Sequence, residues 1–142
     1  MQVLFYILPT YDDQAYDDFI FKMVHKVYQQ KHRLLIYASK PVCRHLDLLL
    51  WQEGKTVYLP HIFVSQYDDM ARTLPVLLSD QLEILHQWRK VLIMLADSPP
   101  EPLPDCHRLI EITDQNPERL LRARKHYRLY QQSGFTIKTH QL

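Results

Sequence analysis

The chain has 142 residues, of which 46% are hydrophobic, so it is long enough for one domain with a sizeable core. Its 17 lysines and arginines nearly balance its 16 aspartates and glutamates, which argues against a dedicated nucleic-acid-binding protein with a large positive excess. Two cysteines and two glycines exclude a disulfide framework, a four-thiolate zinc site and the standard P-loop and GxGxxG phosphate-binding motifs.

The first part of the chain predicts a βαβ unit. Residues 3–8 and 34–37 are short apolar runs typical of strands that are buried on both faces. Between them we expect an amphipathic helix, which begins at a capping-box-like pair, Thr10 and Asp13, and ends near Gln30. A strand, a long helix and a strand in this order indicate a right-handed crossover in a parallel sheet.

A second helix is predicted after Ser39, with Pro41 in its first turn and its end near Gln52. Most of its apolar residues form one buried face. Trp51 does not, because it lies roughly 150° from the centre of that face on a helical wheel. This side chain is therefore either covered by the loop that follows or available to a partner.

The middle of the chain predicts the rest of the sheet. Further strands are expected at residues 76–78, 91–95 and 109–112. Residues 56–64 are apolar but contain Pro60, which indicates an edge strand or an irregular connection. Residues 65–73 are predicted to form a polar loop, and residues 82–88 one or two helical turns. Residues 98–105 contain four prolines and are predicted to be a stiff connector.

The last helix is predicted from its two ends. Asn116 is a favourable N-cap, and it is followed by Pro117 and Glu118, which suit a first helical turn. Gly134 can adopt the left-handed conformation that commonly follows the end of a helix. Residues 135–138 alternate in polarity, so they could add an edge strand to the sheet.

The predicted surface of this last helix combines phenol rings with guanidinium groups. Four residues fall on one stripe about 80° wide: Leu120, Ala123, Tyr127 and Tyr130. Arg124 and Arg128 are four residues apart and lie on one ridge beside that stripe. Such a surface suits an acidic peptide that ends in a free carboxylate. The alternative is a solvated basic face on an ordinary packing helix.

The sequence shows no recognisable catalytic constellation, cofactor motif or metal motif. Cys43 and His45 are two residues apart on one helix and point in different directions, which makes a poor chelate and a poor catalytic dyad. His61 has no acid or nucleophile at a readable spacing, so we expect a loop histidine that contacts a partner. Tyr127 and Tyr130 could stack on bases of single-stranded DNA, although the near-zero net charge disfavours this as a stand-alone activity.

Taken together, these patterns predict one α/β domain over residues 1–142. We expect three layers: a mostly parallel central sheet with helices on both faces, similar to nucleotide-binding proteins but without a phosphate loop. The first residues have no cationic n-region and no small-residue cleavage site. No window approaches the roughly 20 apolar residues of a membrane span. We therefore expect a cytoplasmic protein with no membrane contact.

The sequence resembles the chi subunit family of bacterial DNA polymerase III from end to end. Four segments carry the resemblance: FYIL in the first strand, LLIYASK at the second, HLDLLLW followed by YLPH, and ARKHYRLYQQSGFTIKT near the end. The pattern LDxxLW with its following PH and the pattern RxxYRxYxxxGF are together quite specific for this family.

The resemblance implies a non-catalytic accessory protein without a cofactor. It would bridge the clamp loader, through the psi subunit, to the acidic C-terminal tail of single-stranded DNA-binding protein, and would contact DNA only indirectly. The implied tail site consists of Arg124, Tyr127, Arg128 and Gly134. The implied psi-subunit interface consists of Trp51, Tyr58, Pro60 and His61. A helicase is a further candidate partner for that second surface. The alternative functions are a degenerate nucleotide-binding enzyme and a module that binds single-stranded DNA directly.

Overall fold

The computed structural model describes residues 1–53 and 59–142, which form seven strands and five helices. The strands are β1 (Gln2–Ile7), β2 (Leu34–Tyr37), β3 (His61–Phe63), β4 (Val76–Ser79), β5 (Val91–Met94), β6 (Arg108–Thr113) and β7 (Ile137–Gln141). The helices are α1 (Asp13–Gln29), α2 (Lys40–Glu53), α3 (Asp69–Thr73), α4 (Leu82–Gln87) and α5 (Pro117–Gln132). None of the helices in this part of the chain is long and apolar enough to cross a membrane.

All seven strands belong to one parallel sheet in the order β3-β4-β2-β5-β6-β1-β7. Side chains alternate between its two faces along each strand. In β2, Leu34 and Ile36 pack in a core with α1 and α2, whereas Leu35 and Tyr37 pack in a second core with α4 and α5. The fold is therefore a three-layer α/β arrangement, which confirms the predicted class. Burial on both faces also explains why the strands are continuous apolar runs.

The two outermost strands, β3 and β7, correspond to the two segments for which the sequence predicts a possible edge strand. β3 begins directly after Pro60 and pairs only with β4, so the proline, which cannot donate a hydrogen bond, stays outside the ladder. At the opposite side β7 pairs with β1. It begins and ends later than the predicted residues 135–138. The first part of the predicted segment 56–64, including Tyr58, lies outside the described residues.

Two predictions about helical segments are wrong. The N-cap of α1 is Asp12 rather than Thr10, because the Asp12 carboxylate accepts a hydrogen bond from the amide of Ala15 at 3.3 Å. The predicted polar loop 65–73 contains the short helix α3, which begins after Asp68, whose carboxylate accepts a hydrogen bond from the amide of Ala71 at 2.9 Å. In both places an aspartate stabilises the first turn by accepting from an unpaired backbone amide.

Candidate functional site

Helix α5 carries the predicted peptide-binding surface, and both of its ends are as predicted. The Asn116 side chain accepts hydrogen bonds from the amides of Glu118 and Arg119 at 3.0 and 3.2 Å. At the other end Gly134 has a φ of 85°, and its amide donates to the carbonyl of Gln131 at 3.1 Å. A second bond from the amide of Phe135 to the carbonyl of Tyr130 completes a Schellman motif. The glycine therefore ends the helix and turns the chain toward β7.

The inner face of α5 is fixed by a buried polar network that the sequence did not reveal. The carboxylate of Glu111, on β6, accepts hydrogen bonds from Nδ1 of His126 at 2.9 Å and from the hydroxyl of Tyr130. Nε2 of the same histidine lies 2.8 Å from the carbonyl oxygen of Asp97, which can only accept. Both ring nitrogens therefore face acceptor oxygens, and a histidine that donates from both nitrogens carries a positive charge.

The network changes the pKa values of its members. Burial by itself lowers the pKa of His126, but its hydrogen bond to Glu111, the negative charge of that carboxylate and the Asp97 carbonyl together raise that pKa above its ordinary value. Burial, with the same carboxylate next to it, raises the pKa of Tyr130. The network therefore favours the charged form of His126, whose hydrogen bonds hold α5 against β6 and the loop that follows β5.

The phenol stripe predicted from the helical wheel is divided between core and surface. Tyr130 is fully buried in this network, whereas Tyr127 is 37% exposed. The ring of Tyr127 packs on Phe5 of β1, with ring centroids 5.4 Å apart and an angle of 60° between the planes. Of the two phenol rings, that of Tyr127 is therefore the one accessible to a ligand.

A hollow of about 290 Å³ lies beside Tyr127, between α5 and the β1–β7 side of the sheet. Its lining consists of Phe5, Ile7, Thr113, Leu120, Ala123, Arg124, Tyr127 and Thr139. The walls are mostly apolar, and Arg124 is the charged residue among them. The hollow brings two of the predicted tail-site residues together, Arg124 and Tyr127. Arg128 lies one turn further along the helix, and neither it nor Gly134 belongs to the lining.

The exposed arginines of α5 differ from its half-buried ones in their partners. Arg119 forms two hydrogen bonds with the carboxylate of Asp114, at 2.8 and 2.7 Å, and one with Asp13 at 2.9 Å. By contrast, Arg124 and Arg128 are exposed, and no carboxylate in residues 1–53 or 59–142 forms an ion pair with either of them. Their guanidinium groups are thus available to an external anion.

The second predicted surface is only partly accessible. Trp51 is 61% exposed near the end of α2, and its ring lies 4.6 Å from that of His61. His61 is buried in β3 rather than placed in a loop, so the prediction of a loop histidine is wrong. Its Nδ1 donates to the carbonyl of Leu59 at 2.7 Å. Pro60 is half-buried. The predicted interface residue Tyr58 lies outside the described residues.

The packing of β3 against α2 explains why His61 is buried. Its Nε2 lies 3.3 Å from the carboxylate of Asp47 but in poor geometry, and it has no hydrogen-bond partner among the described residues. The ring instead fills space beneath Trp51, since β3 packs directly against α2. The histidine therefore supports the tryptophan from below.

A cleft of about 330 Å³ opens at the carboxyl ends of the strands, where open parallel sheets usually bind ligands. Asp13 and Asp17 lie on its lining together with Arg119 and Arg122. Arg119 is occupied by its carboxylate partners and stacks on Tyr16, with 4.2 Å from the guanidinium carbon to the ring centroid. Two carboxylates on the lining and an occupied arginine disfavour the binding of a phosphate group here.

The cysteine and histidine of α2 are placed apart, as their spacing predicted. Cys43 is fully buried, its thiol faces the carbonyl of Ala38 at 3.5 Å, and burial raises its pKa to about 12. His45 faces outward and contacts Asp17 at 2.7 Å. In the described part of the chain, no group of three or more histidine, cysteine, aspartate or glutamate side chains is placed to hold a metal ion.

Comparison with known proteins gives two matches. The family model described as DNA polymerase III chi subunit, HolC, matches residues 1–138. A protein of Pseudomonas aeruginosa named DNA polymerase III subunit chi is 26% identical over 142 residues, which cover 99% of this chain and 96% of that relative. The similarity therefore extends over both the α5 surface and the Trp51 surface.

Proposed function

Because this chain belongs to the DNA polymerase III chi subunit family, and is thus an accessory subunit in DNA replication, we propose that it is a non-catalytic adaptor. In this proposal α5 binds the acidic C-terminal tail of single-stranded DNA-binding protein, and the Trp51 side of α2 binds the psi subunit of the clamp loader. The observation that supports it best is the apolar hollow lined by Arg124, for which residues 1–53 and 59–142 provide no ion-pair partner.

The dimensions and charge of the hollow suit the end of a peptide. A volume of about 290 Å³ lies at the lower end of the range for small-molecule sites, so one large side chain fills it. Arg124 would hold carboxylates of the tail, including the terminal one, through charge-assisted hydrogen bonds. Arg128, one turn along the same ridge, would attract the acidic residues that precede the end. At this site DNA is contacted only indirectly, through the partner.

The exposure of the arginines sets the strength of this interaction. Charges that remain in contact with water gain little from each other, and salt screens them over a distance of about 10 Å at 0.1 M. We therefore expect modest affinity that falls as the salt concentration rises. The last apolar side chain of the tail, buried against Tyr127 and Phe5, would supply the part that does not depend on salt.

The Trp51 surface has the composition of a protein interface rather than of a small-molecule site. Trp51 and Leu48 are both more than half exposed on the same helix. Exposed aromatic and aliphatic side chains of this kind are the usual anchors of a protein partner. The psi subunit is the proposed occupant, and a helicase is a second candidate for the same surface. Such a role places the protein in the cytoplasm.

The test is a calorimetric titration of the full chain with a tail peptide in two forms. One peptide has its free terminal carboxylate, and the other has a C-terminal amide, which removes one negative charge and changes little else. If Arg124 holds the terminal carboxylate, the amidated peptide should bind about tenfold more weakly at low salt. Equal affinity for the two peptides would mean that the arginines do not read the terminal group.

A further inference from the structure

The amino-terminal edge of the sheet, where β2, β5 and β6 begin, carries a cluster of basic side chains. We call this cluster the basic edge, and it consists of Lys31, His32, Arg89, Lys90, His107 and Arg108. The three loops that contain these residues, 30–33, 88–90 and 105–108, include a single carboxylate, that of Asp105. The opposite side of the sheet, at the carboxyl ends of the strands, instead carries a series of aspartates, among them Asp12, Asp80, Asp97 and Asp114. The net charge of the chain conceals this separation.

The strand register places the basic loops side by side. Leu34, Val91 and Arg108 are aligned across β2, β5 and β6. Backbone bonds continue the alignment below the strands, because the amide of His107 donates to the carbonyls of Arg89 and Lys90 at 3.0 and 3.1 Å. The cations therefore follow a line across the sheet, with a spacing between adjacent strands of about 4.8 Å.

The side chains of the basic edge are not used by the fold as ion-pair partners. Lys31, Lys90 and Arg89 are exposed, and none of them forms an ion pair with a carboxylate in the described residues. Arg108 is half-buried, and its Nε has no hydrogen-bond partner in the same part of the chain. Arg89 donates from one guanidinium nitrogen to the carbonyls of His86 and Trp88, at 2.8 and 3.0 Å, but it stays exposed. Arg33 differs because it is half-buried and lies over the ring of a buried tryptophan, so we do not count it in the cluster.

Lys31 occupies a backbone position that favours glycine. Its φ is 62°, and the amides of Lys31 and His32 donate to the carbonyls of Tyr28 and Val27, which forms a Schellman motif at the end of α1. A lysine in this conformation is strained, whereas glycine would not be. A strained lysine where glycine would be unstrained suggests a functional role for the lysine side chain.

The chemistry of the basic edge favours a phosphate backbone over an acidic protein surface. None of the exposed large hydrophobic side chains in the described residues lies in its three loops. A protein partner would need such anchors, whereas the sequence-independent binding of nucleic acid depends on lysine and arginine contacts to phosphates. We propose that the basic edge binds the sugar–phosphate backbone of DNA. This binding surface is separate from α5 and goes beyond the indirect contact proposed above.

The test is a fluorescence anisotropy titration of the full chain with labelled oligothymidylate of roughly 20 nucleotides and with a duplex of the same length. Contact with three or four phosphates predicts that the logarithm of the binding constant falls with the logarithm of salt concentration with a slope of about −2 to −3 on the single strand. The double variant Lys31→Gly, Lys90→Ala should roughly halve that slope and weaken binding about tenfold or more at low salt. Glycine is chosen at position 31 because it suits the backbone there.

The matched control is the double variant Lys22→Ala, Lys40→Ala, which loses the same charge from two exposed residues away from the basic edge. It should bind almost as well as the parent chain, and so should Arg124→Ala, because the tail site is separate. Similar binding of duplex and single strand would support contacts to phosphate, and preference for the single strand would add stacking of bases on His32 or His107. The proposal is overturned if the parent chain shows no salt-dependent binding of DNA or if both double variants lose the same affinity for it. It is also overturned if polyglutamate displaces the labelled oligonucleotide as well as unlabelled DNA does.

Discussion

Replacing Arg124 with alanine tests the proposed tail site most directly. The guanidinium is exposed and has no ion-pair partner among the described residues, so its removal should change the free energy of unfolding by less than about 0.5 kcal/mol. A hydrogen bond to a charged group contributes about 1.5–3 kcal/mol. Because this site is open to water, we expect the lower end, which is a loss of about tenfold in affinity for the tail peptide.

The appropriate assay is calorimetry at two salt concentrations, and the chain offers a close control. Lys125 is the next residue on α5, is also exposed and carries the same charge, but it lies about 100° further round the helix and does not line the hollow. Lys125→Ala should cost less than about 0.5 kcal/mol of binding. Equal losses in the two variants would indicate general charge attraction, and an unchanged affinity of Arg124→Ala would place the site elsewhere.

Three further variants test the Trp51 surface, the turn at the end of α5 and the buried network beneath that helix. Trp51→Ala should leave tail-peptide affinity unchanged but weaken co-purification with the psi subunit, and intact co-purification would remove this surface from the interface. Gly134→Ala meets no atom within 4 Å but must adopt a φ of 85°, so it should lower the free energy of unfolding in urea by about 1 kcal/mol, with no change if the turn relaxes. The raised pKa of His126 means that its stabilising contribution is complete below about pH 6.5 and is lost as the pH rises through the folded-state pKa. His126→Gln should therefore flatten that decline in urea titrations at several pH values, and an unaltered decline would exclude His126 as its source.

The fold could be predicted because its strongest signals are local. Residues 34–37 are apolar without interruption, and the sheet buries β2 on both faces, so the sequence pattern agrees with the observed burial. The N-cap at Asn116 and the turn at Gly134 are decided by one or two hydrogen bonds between near neighbours. Each of these features requires no knowledge of the rest of the chain.

The errors arise where neighbours in sequence offer equivalent choices or where distant segments decide. Thr10 and Asp12 can both cap a helix, and only the path of the chain after β1 selects the aspartate. His61 is buried because β3 pairs with β4 and packs beneath α2, which no local pattern encodes. A proline before a short apolar run indicated an edge strand but not which of its side chains point inward.

The candidate site was only partly accessible to sequence reasoning. The helical wheel identified Arg124 and Tyr127, which the structure places on one hollow. It also grouped Tyr130 with them, because a wheel shows which residues share a face but not where the buried arc has its centre. That centre lies near His126, a polar residue whose burial depends on Glu111 in a different element. The hollow itself needs β7, which lies beyond the end of the helix.

The positions of the two proposed protein surfaces explain how one small chain could act as an adaptor. The Trp51 side packs against β3 at one end of the sheet, and the hollow lies beside β7 at the other. Seven strands at about 4.8 Å spacing separate these edges by about 29 Å, roughly three Debye lengths at 0.1 M salt. If the two partners bind as proposed, their sites share no residue and the charges at one site are screened from the other, so their binding free energies should add. In the proposed function the sheet thus supplies the spacing for simultaneous binding, while the charges and apolar groups proposed to select each partner lie on α2 and α5.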